Sequence, residues 1–202
     1  MEFTHIVDRY MGTNVYIFTH NGEALVVDPA TNYTLVKDKL NELGARCTKV
    51  VLTHCHYDHA GCASQLEADG ATVYVSEADA EQNSAQGSLA TAMHKAYEPY
   101  RAPVLLHDGD EIPFADSAFT VIATPGHTKG SICLRMGDIL LSGDTLFRHS
   151  YGRIDLPTGA AMDMLASIRK LLRLEGNPTV YPGHEAFSTL DEEREQNPLA
   201  RW

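Results

Sequence analysis

The stretch Thr53-His54-Cys55-His56-Tyr57-Asp58-His59-Ala60-Gly61 decides how this chain is read. It sets three histidines and an aspartate within six consecutive positions, directly behind the apolar run Val50-Val51-Leu52. Runs of β-branched residues favour strands, so the polar cluster is delivered at a strand's end. Neutral imidazole and carboxylate are the donor types that hold zinc, iron or manganese. Four of them in so short a segment are not explained by core packing. Side chains alternate along extended chain, so His54 and His56 face one side. Cys55, a further candidate ligand, is aimed away from them. Asp58 and His59 fall where the chain turns into a helix and address a neighbouring point in space.

Outward from this motif, strands and helices alternate. Upstream, Tyr16-Ile17-Phe18 and Ala24 to Asp28 read as strands joined by His20-Asn21-Gly22-Glu23, with the Asn-Gly signature of a hairpin turn. Asp28-Pro29 ends the second strand. Leu35, Val36, Leu40 and Leu43 recur at helical spacing, and Gly44 stops that helix. Lys49 to Leu52 is the strand before the motif. A helix is expected over 60–68, closed by Gly70, with Thr72 to Val75 extended. Residues 76–103 are Ala-rich and polar with helical pieces, either a lid or, the stronger reading, a surface helix with its connecting loop.

Past Asp108-Gly109-Asp110-Glu111 the chain turns β-rich, with Phe119 to Ala123, Ser131 to Met136 and Ile139 to Ser142 extended and Met136-Gly137-Asp138 a tight reversal. Residues 162–174 form an amphipathic helix with Met164, Leu165, Ile168, Leu171 and Leu172 on one face, and Thr179-Val180-Tyr181 is a last strand. Three further candidate ligands follow strands here, each beside a glycine that permits a sharp turn: His127 in Pro125-Gly126-His127-Thr128, Asp144 in Ser142-Gly143-Asp144-Thr145, and His184 in Pro182-Gly183-His184-Glu185. Strand-end loops converge at one edge of a sheet, where open α/β folds place their sites. Seven candidate ligands point to two ions. Thr53, Thr128 and Thr145 adjoin them, either as hydrogen-bond partners of the ligands or through strand propensity alone. The other histidines, His5, His20, His94, His107 and His149, are read as ordinary surface or core residues, with His149 set apart by its nearness to Asp144.

This ordered set resembles the metallo-β-lactamase superfamily, whose signature is His-x-His-x-Asp-His followed by distant His, Asp and His. The resemblance spans nearly the whole chain. It implies a single α/β domain over 1–202, a four-layer αββα sandwich with the metal site at one edge of two sheets. It also implies two divalent ions, zinc first with iron or manganese as alternatives. His54, His56 and His127 would hold one ion, Asp58, His59 and His184 the other, and Asp144 would bridge. Asp58 would also orient the attacking hydroxide. Gly143-Asp144-Thr145-Leu146-Phe147, Tyr151-Gly152-Arg153-Ile154-Asp155 and the ending Glu193-Arg194-Glu195-Gln196-Asn197-Pro198 are similar to short glyoxalase II-like hydrolases. Their likeness implies thioester or ester hydrolysis, on S-D-lactoylglutathione or a related acylated thiol, with Arg153, Tyr151 and His149 at the substrate. It does not extend to the C-terminal helical domain with which the full-length enzyme completes its glutathione site. Alternatives are a mononuclear-iron persulfide dioxygenase, a lactonase and a non-catalytic metal-binding protein; Gly183-His184-Glu185 favours the hydrolase.

The bulk properties agree with a small globular enzyme. At 202 residues, 44% hydrophobic and 21% charged, the chain can bury a sizeable core. A net charge of −11 argues against nucleic acid as a partner. No apolar stretch approaches the roughly 18–20 residues of a membrane span, and Met1-Glu2-Phe3-Thr4-His5 lacks the features of a signal peptide. Cys47, Cys55, Cys62 and Cys133 have neither zinc-finger nor redox spacing and read as free thiols of a cytoplasmic protein. Gly-x-Ser-x-Gly, the serine-hydrolase elbow, is absent.

Overall fold

The computed structural model describes residues 1–201. The chain forms two compact units, Met1–Leu106 and His107 onward. Each carries one six-stranded mixed sheet.

The first unit contains β1 (Glu2–Asp8), β2 (Thr13–His20), β3 (Glu23–Val27), α1 (Tyr33–Glu42), β4 (Arg46–Val51), α2 (Tyr57–Ala60), α3 (Ala63–Ala68), β5 (Thr72–Ser76), α4 (Glu77–Ala80) and β6 (Val104–Leu106). The sheet runs in simple sequence order from β1 to β6. Its first three strands are antiparallel and β3 to β6 are parallel. Asn21 and Gly22 both take positive φ, 49° and 79°, the two-residue turn that their sequence predicts between β2 and β3. Val36 and Leu40 of α1 and Leu66 of α3 close over Val26, Val50 and Val73 of the sheet and over Leu52 just beyond β4 to form the core. Asn32 caps α1, its side-chain oxygen accepting from the Leu35 N–H at 3.0 Å.

Two segments differ from the sequence reading. The helix expected over 60–68 is broken at Gly61-Cys62 into α2 and α3. The Cys62 N–H donates to the Ala30 carbonyl (2.9 Å) and the Ala30 N–H donates to the His59 carbonyl (3.0 Å), so the strand-end segment at Ala30 takes the bonds a continuous helix would use. Of residues 76–103, Ser76 ends β5 and the remainder forms α4 followed by a succession of turns and irregular chain.

The second unit contains β7 (Glu111–Phe114), β8 (Ser117–Ala123), β9 (Ile132–Met136), β10 (Ile139–Gly143), β11 (Leu146–Phe147), β12 (Ser150–Tyr151), α5 (Ala161–Leu172), β13 (Thr179–Pro182), β14 (Ser188–Thr189) and α6 (Leu190–Gln196). Its sheet order is β14-β13-β10-β9-β8-β7, and β11 and β12 form a separate ribbon. Met164, Ile168 and Leu171 of α5 are buried with Ile122, Leu140 and Val180; Leu165 and Leu172, expected on the same face, are half-buried at its margin. The β10–β13 pair is parallel, while β8, β9 and β10 are antiparallel neighbours. Hence β8, β10 and β13 all run in one direction, and the loops after them leave the sheet at one edge. Among the described residues no helix is long and apolar enough to cross a membrane.

Candidate metal centre

In the first unit a single residue, Leu52, separates the end of β4 from the ligand motif. His54 is fully buried and His56 nearly so. Their ring centroids lie 4.7 Å apart, and those of His54 and His59 4.1 Å apart. His54 and His56 thus come together as alternation predicts, although the chain between them is bent and not a strand. Asp58 Oδ2 is 3.6 Å from His59 Nε2. Cys55 is also buried, its thiol directed at the Gly87 carbonyl (4.0 Å), consistent with its expected orientation.

The hydrogen bonds around these rings fix which nitrogen each can offer. The Asp28 carboxylate, at the end of β3, accepts from the Thr53 N–H through Oδ1 (2.8 Å) and from the Thr53 hydroxyl through Oδ2 (2.6 Å). With its one proton spent there, the Thr53 oxygen accepts from His54 Nδ1 at 3.1 Å. Asp28 Oδ2 also accepts from His59 Nδ1 at 2.9 Å. In the neutral rings Nδ1 therefore carries the proton and Nε2 the lone pair in both histidines. This is the arrangement by which carboxylate and hydroxyl groups behind a histidine prepare it for a metal.

Asp79, in α4 and fully buried, accepts from the Cys55 N–H at 2.8 Å, and the Ser88 carbonyl accepts from the Tyr57 N–H at 2.8 Å. The segment after β5 thus braces the motif from behind. Neither Asp28 nor Asp79 was a candidate in the sequence. Asp28-Pro29 signals only a strand's end, and Asp79 looks like an acidic residue on a surface helix.

In the second unit His127, Asp144 and His184 follow β8, β10 and β13. Asp144 Oδ2 lies 3.6 Å from His127 Nε2 and 3.7 Å from His184 Nε2. Gly126, at φ +145°, lets the chain press on α5: a Cβ there would sit 2.5 Å from both the N and Cα of Met164. His127 Nδ1 donates to the Arg153 carbonyl at 2.8 Å, which again leaves Nε2 as the lone-pair nitrogen. Thr128 bonds Ser131 (hydroxyl to hydroxyl, 2.8 Å) and Thr145 bonds Thr124 (3.0 Å), whereas the Thr53 side chain touches a ligand candidate, His54.

The substrate candidates are placed as follows. The exposed Arg153 guanidinium makes a bidentate pair with Asp155 at 2.7 and 2.8 Å, which holds the Asp155 carboxyl down at about 2. His149 Nε2 lies 2.7 Å from Glu192 Oε1, so that ring is engaged with α6. Tyr151 is half-buried in the β11–β12 ribbon. His5 and His20 bond Asn14 and Asn21 respectively, in ordinary structural roles.

The family model of the metallo-β-lactamase superfamily matches residues 9–184. The chain belongs to that superfamily. Among its relatives, a probable metallo-hydrolase of Streptococcus pyogenes is 28% identical, covering 98% of this chain and 90% of its own length. A crystal structure of BLEG-1 B3 metallo-β-lactamase superposes with a TM-score of 0.90 at 27% identity over the whole of both chains. The protein TTHA1623, crystallised in a di-iron-bound form, gives a TM-score of 0.85 at 29% identity, covering 96% of this chain and 98% of that one. The two mixed sheets with their helices are the α/β sandwich of the metallo-β-lactamase fold, as the sequence resemblance implies. The histidine and aspartate clusters are those of a divalent-metal protein of this superfamily, and its class is that of a metal-dependent hydrolase.

Proposed function

We propose that the chain is a dinuclear metallohydrolase that cleaves a thioester, S-D-lactoylglutathione or a related acylated thiol. The observation that carries this reading is the shared polarity of His54, His59 and His127. Each commits Nδ1 to an acceptor of its own unit, Thr53, Asp28 or the Arg153 carbonyl, and so offers Nε2. Surface or core histidines rarely show this three times over, whereas metal ligands almost always do. Imidazole nitrogens with carboxylate oxygens suit zinc, iron or manganese. The donor set therefore fits the metals of the superfamily, with zinc as our assignment. His54, His56 and His127 would hold one ion, Asp58, His59 and His184 the second, with Asp144 between them. The di-iron form of TTHA1623 supports two ions over one.

Bound there, divalent ions supply Lewis acidity that activates water near neutral pH and polarises a carbonyl. The chain's own groups do the rest. Asp58, only partly buried, holds a carboxylate oxygen 3.6 Å from His59 Nε2, where it orients the attacking water and takes its proton. Arg153, exposed and paired with Asp155, offers a cation to a carboxylate of the thiol carrier. Arg153→Ala should raise KM by about 10-fold, the worth of one charge-assisted hydrogen bond, while metal content and kcat stay as they are. A KM that does not move for any acylated thiol removes Arg153 from the substrate site.

The deciding experiment measures metal content per chain and hydrolysis of S-D-lactoylglutathione on the same anaerobically purified sample. Two ions with metal-dependent hydrolysis support the proposal. A single iron, with oxygen uptake on glutathione persulfide and no hydrolysis, replaces it with the dioxygenase.

A further inference from the structure

The C-terminal motif Glu193-Arg194-Glu195-Gln196-Asn197-Pro198 has no part in the chemistry above, yet two of its side chains are among the most buried polar groups of the second unit. Glu193 is 0% exposed and Asn197 1%. Acidic side chains are almost never so buried unless hydrogen bonds hold them there. Both reach the turn of the β11–β12 ribbon, while Asn197 Oδ1 also accepts from the Leu199 N–H at 3.1 Å. The Glu193 carboxylate accepts from the His149 N–H, with both oxygens at 3.1 Å. Asn197 Nδ2 donates to the Ser150 carbonyl at 2.8 Å and to Glu193 Oε2 at 3.0 Å, so both amide protons are used. His149 itself sits at φ +55°, a conformation that costs a non-glycine residue energy and persists where surroundings impose it.

The other end of this ribbon leads to the metal ligands. Leu146 pairs with Tyr151 and Phe147 with Ser150, and the Gly152 N–H donates to the Thr145 carbonyl at 3.3 Å. Gly152 lies so close to the backbone of Asp144 that a Cβ would fall 1.8 Å from its carbonyl oxygen, and 3.4 Å from His127 Nδ1. The next residue, Arg153, supplies the carbonyl that takes the His127 Nδ1 proton. A path of hydrogen bonds and close backbone contact thus runs from α6 through the ribbon to His127. Displacing the ribbon moves the acceptor that orients this ring.

We propose that Glu193 and Asn197 are positioning residues for the ion that His127 holds, acting through the β11–β12 ribbon and the Arg153 carbonyl; the inference rests on the metal-binding reading above. The same helix provides the control. Arg194 donates to the Leu172, Leu174 and Gly176 carbonyls, tying α6 to the end of α5 and the turn behind it; among the described residues its hydrogen bonds do not reach the ribbon. Arg194→Ala should therefore lower the thermal midpoint while leaving both metal affinities in place.

The test is chelator competition on the full chain with zinc, together with the visible spectrum of the cobalt-substituted protein. Glu193→Gln and Asn197→Asp keep side-chain shape but break the donor–acceptor match. Each should weaken one of the two zinc sites about 10- to 100-fold, the usual cost of losing a group behind a ligand. The other site should be spared and the cobalt bands shifted. Asn197→Ser, smaller and neutral, reads the same link should either variant not fold. If the folded variants bind both zinc ions as the parent does with an unshifted cobalt spectrum, or if Arg194→Ala reproduces their loss, the positioning role is overturned. A parent chain that binds no divalent metal overturns the metal-binding reading itself, a distinct result, and this inference with it.

Discussion

Asp28 gathers three donors on two oxygens, the Thr53 N–H, the Thr53 hydroxyl and His59 Nδ1. Asn in its place offers one acceptor oxygen and an NH2 that can only donate. With the NH2 toward His59, that ring must present a bare Nδ1 and carry its proton on Nε2, where it cannot bind a metal. With the NH2 toward the Thr53 N–H, two donors face each other in a buried site. Either outcome is costly, so Asp28→Asn should destabilise the metal-free chain by about 1–3 kcal/mol, the cost of an unsatisfied buried polar group. It should also weaken the ion held with His59 about 10- to 100-fold. Urea unfolding of the stripped protein and chelator competition read the two effects separately. Loss of stability with unchanged metal affinity would mean that His59 is not a ligand.

At the scale of elements, what the sequence discloses follows from the range of the interaction. The β2–β3 hairpin, the strand before the ligand motif and α5 are set by local signals: Asn21-Gly22, a β-branched run, an apolar stripe. They stand where those signals put them. The break at Gly61-Cys62 depends on the Ala30 carbonyl, thirty-two residues back from Cys62, and no local pattern announces it. The same holds for the site. The seven ligand candidates stand out in the sequence because four are packed into one short run and the other three, His127, Asp144 and His184, each follow a glycine. Asp28 was not legible, because its role follows from β3 lying parallel to β4 with Val27 opposite Val51. Glu193 and Asn197 were visible as a motif but silent about its purpose, which needs the ribbon beside them. Gly126 shows local and distant constraints meeting. Its φ of +145° and its contact with Met164 N and Cα leave no room for a methyl group, since the obstacle is backbone and cannot rotate away. Gly126→Ala should cost about 2–4 kcal/mol from backbone strain and overpacking together, read by urea unfolding. A neutral result would mean that the loop bearing His127 can be displaced from α5 without penalty.

For the whole molecule, the buried thiols make stability depend on alkaline pH. All four cysteines are buried and outside any disulfide. Burial pushes the Cys47 thiol up to about 12 and the Cys133 thiol up to about 11, and raises Cys62 for the same reason. In the unfolded chain a thiol ionises near 8.5. Below that value both states keep these protons and the thiols contribute no pH dependence. Above it the unfolded chain releases protons that the folded chain retains, so the unfolded state binds fewer and stability falls as pH rises. The slope approaches about 1.4 kcal/mol per pH unit for each such thiol, until the folded pKa is reached. Urea unfolding under reducing conditions should therefore show a marked loss of stability between pH 7.5 and 9.5. Cys47→Ala, at a position 4% exposed in the first unit's core, should start less stable for the methyl-sized cavity it leaves yet lose less between the two pH values. Equal losses in the parent and the variant would show that Cys47 ionises alike in both states, and that the alkaline sensitivity has another source.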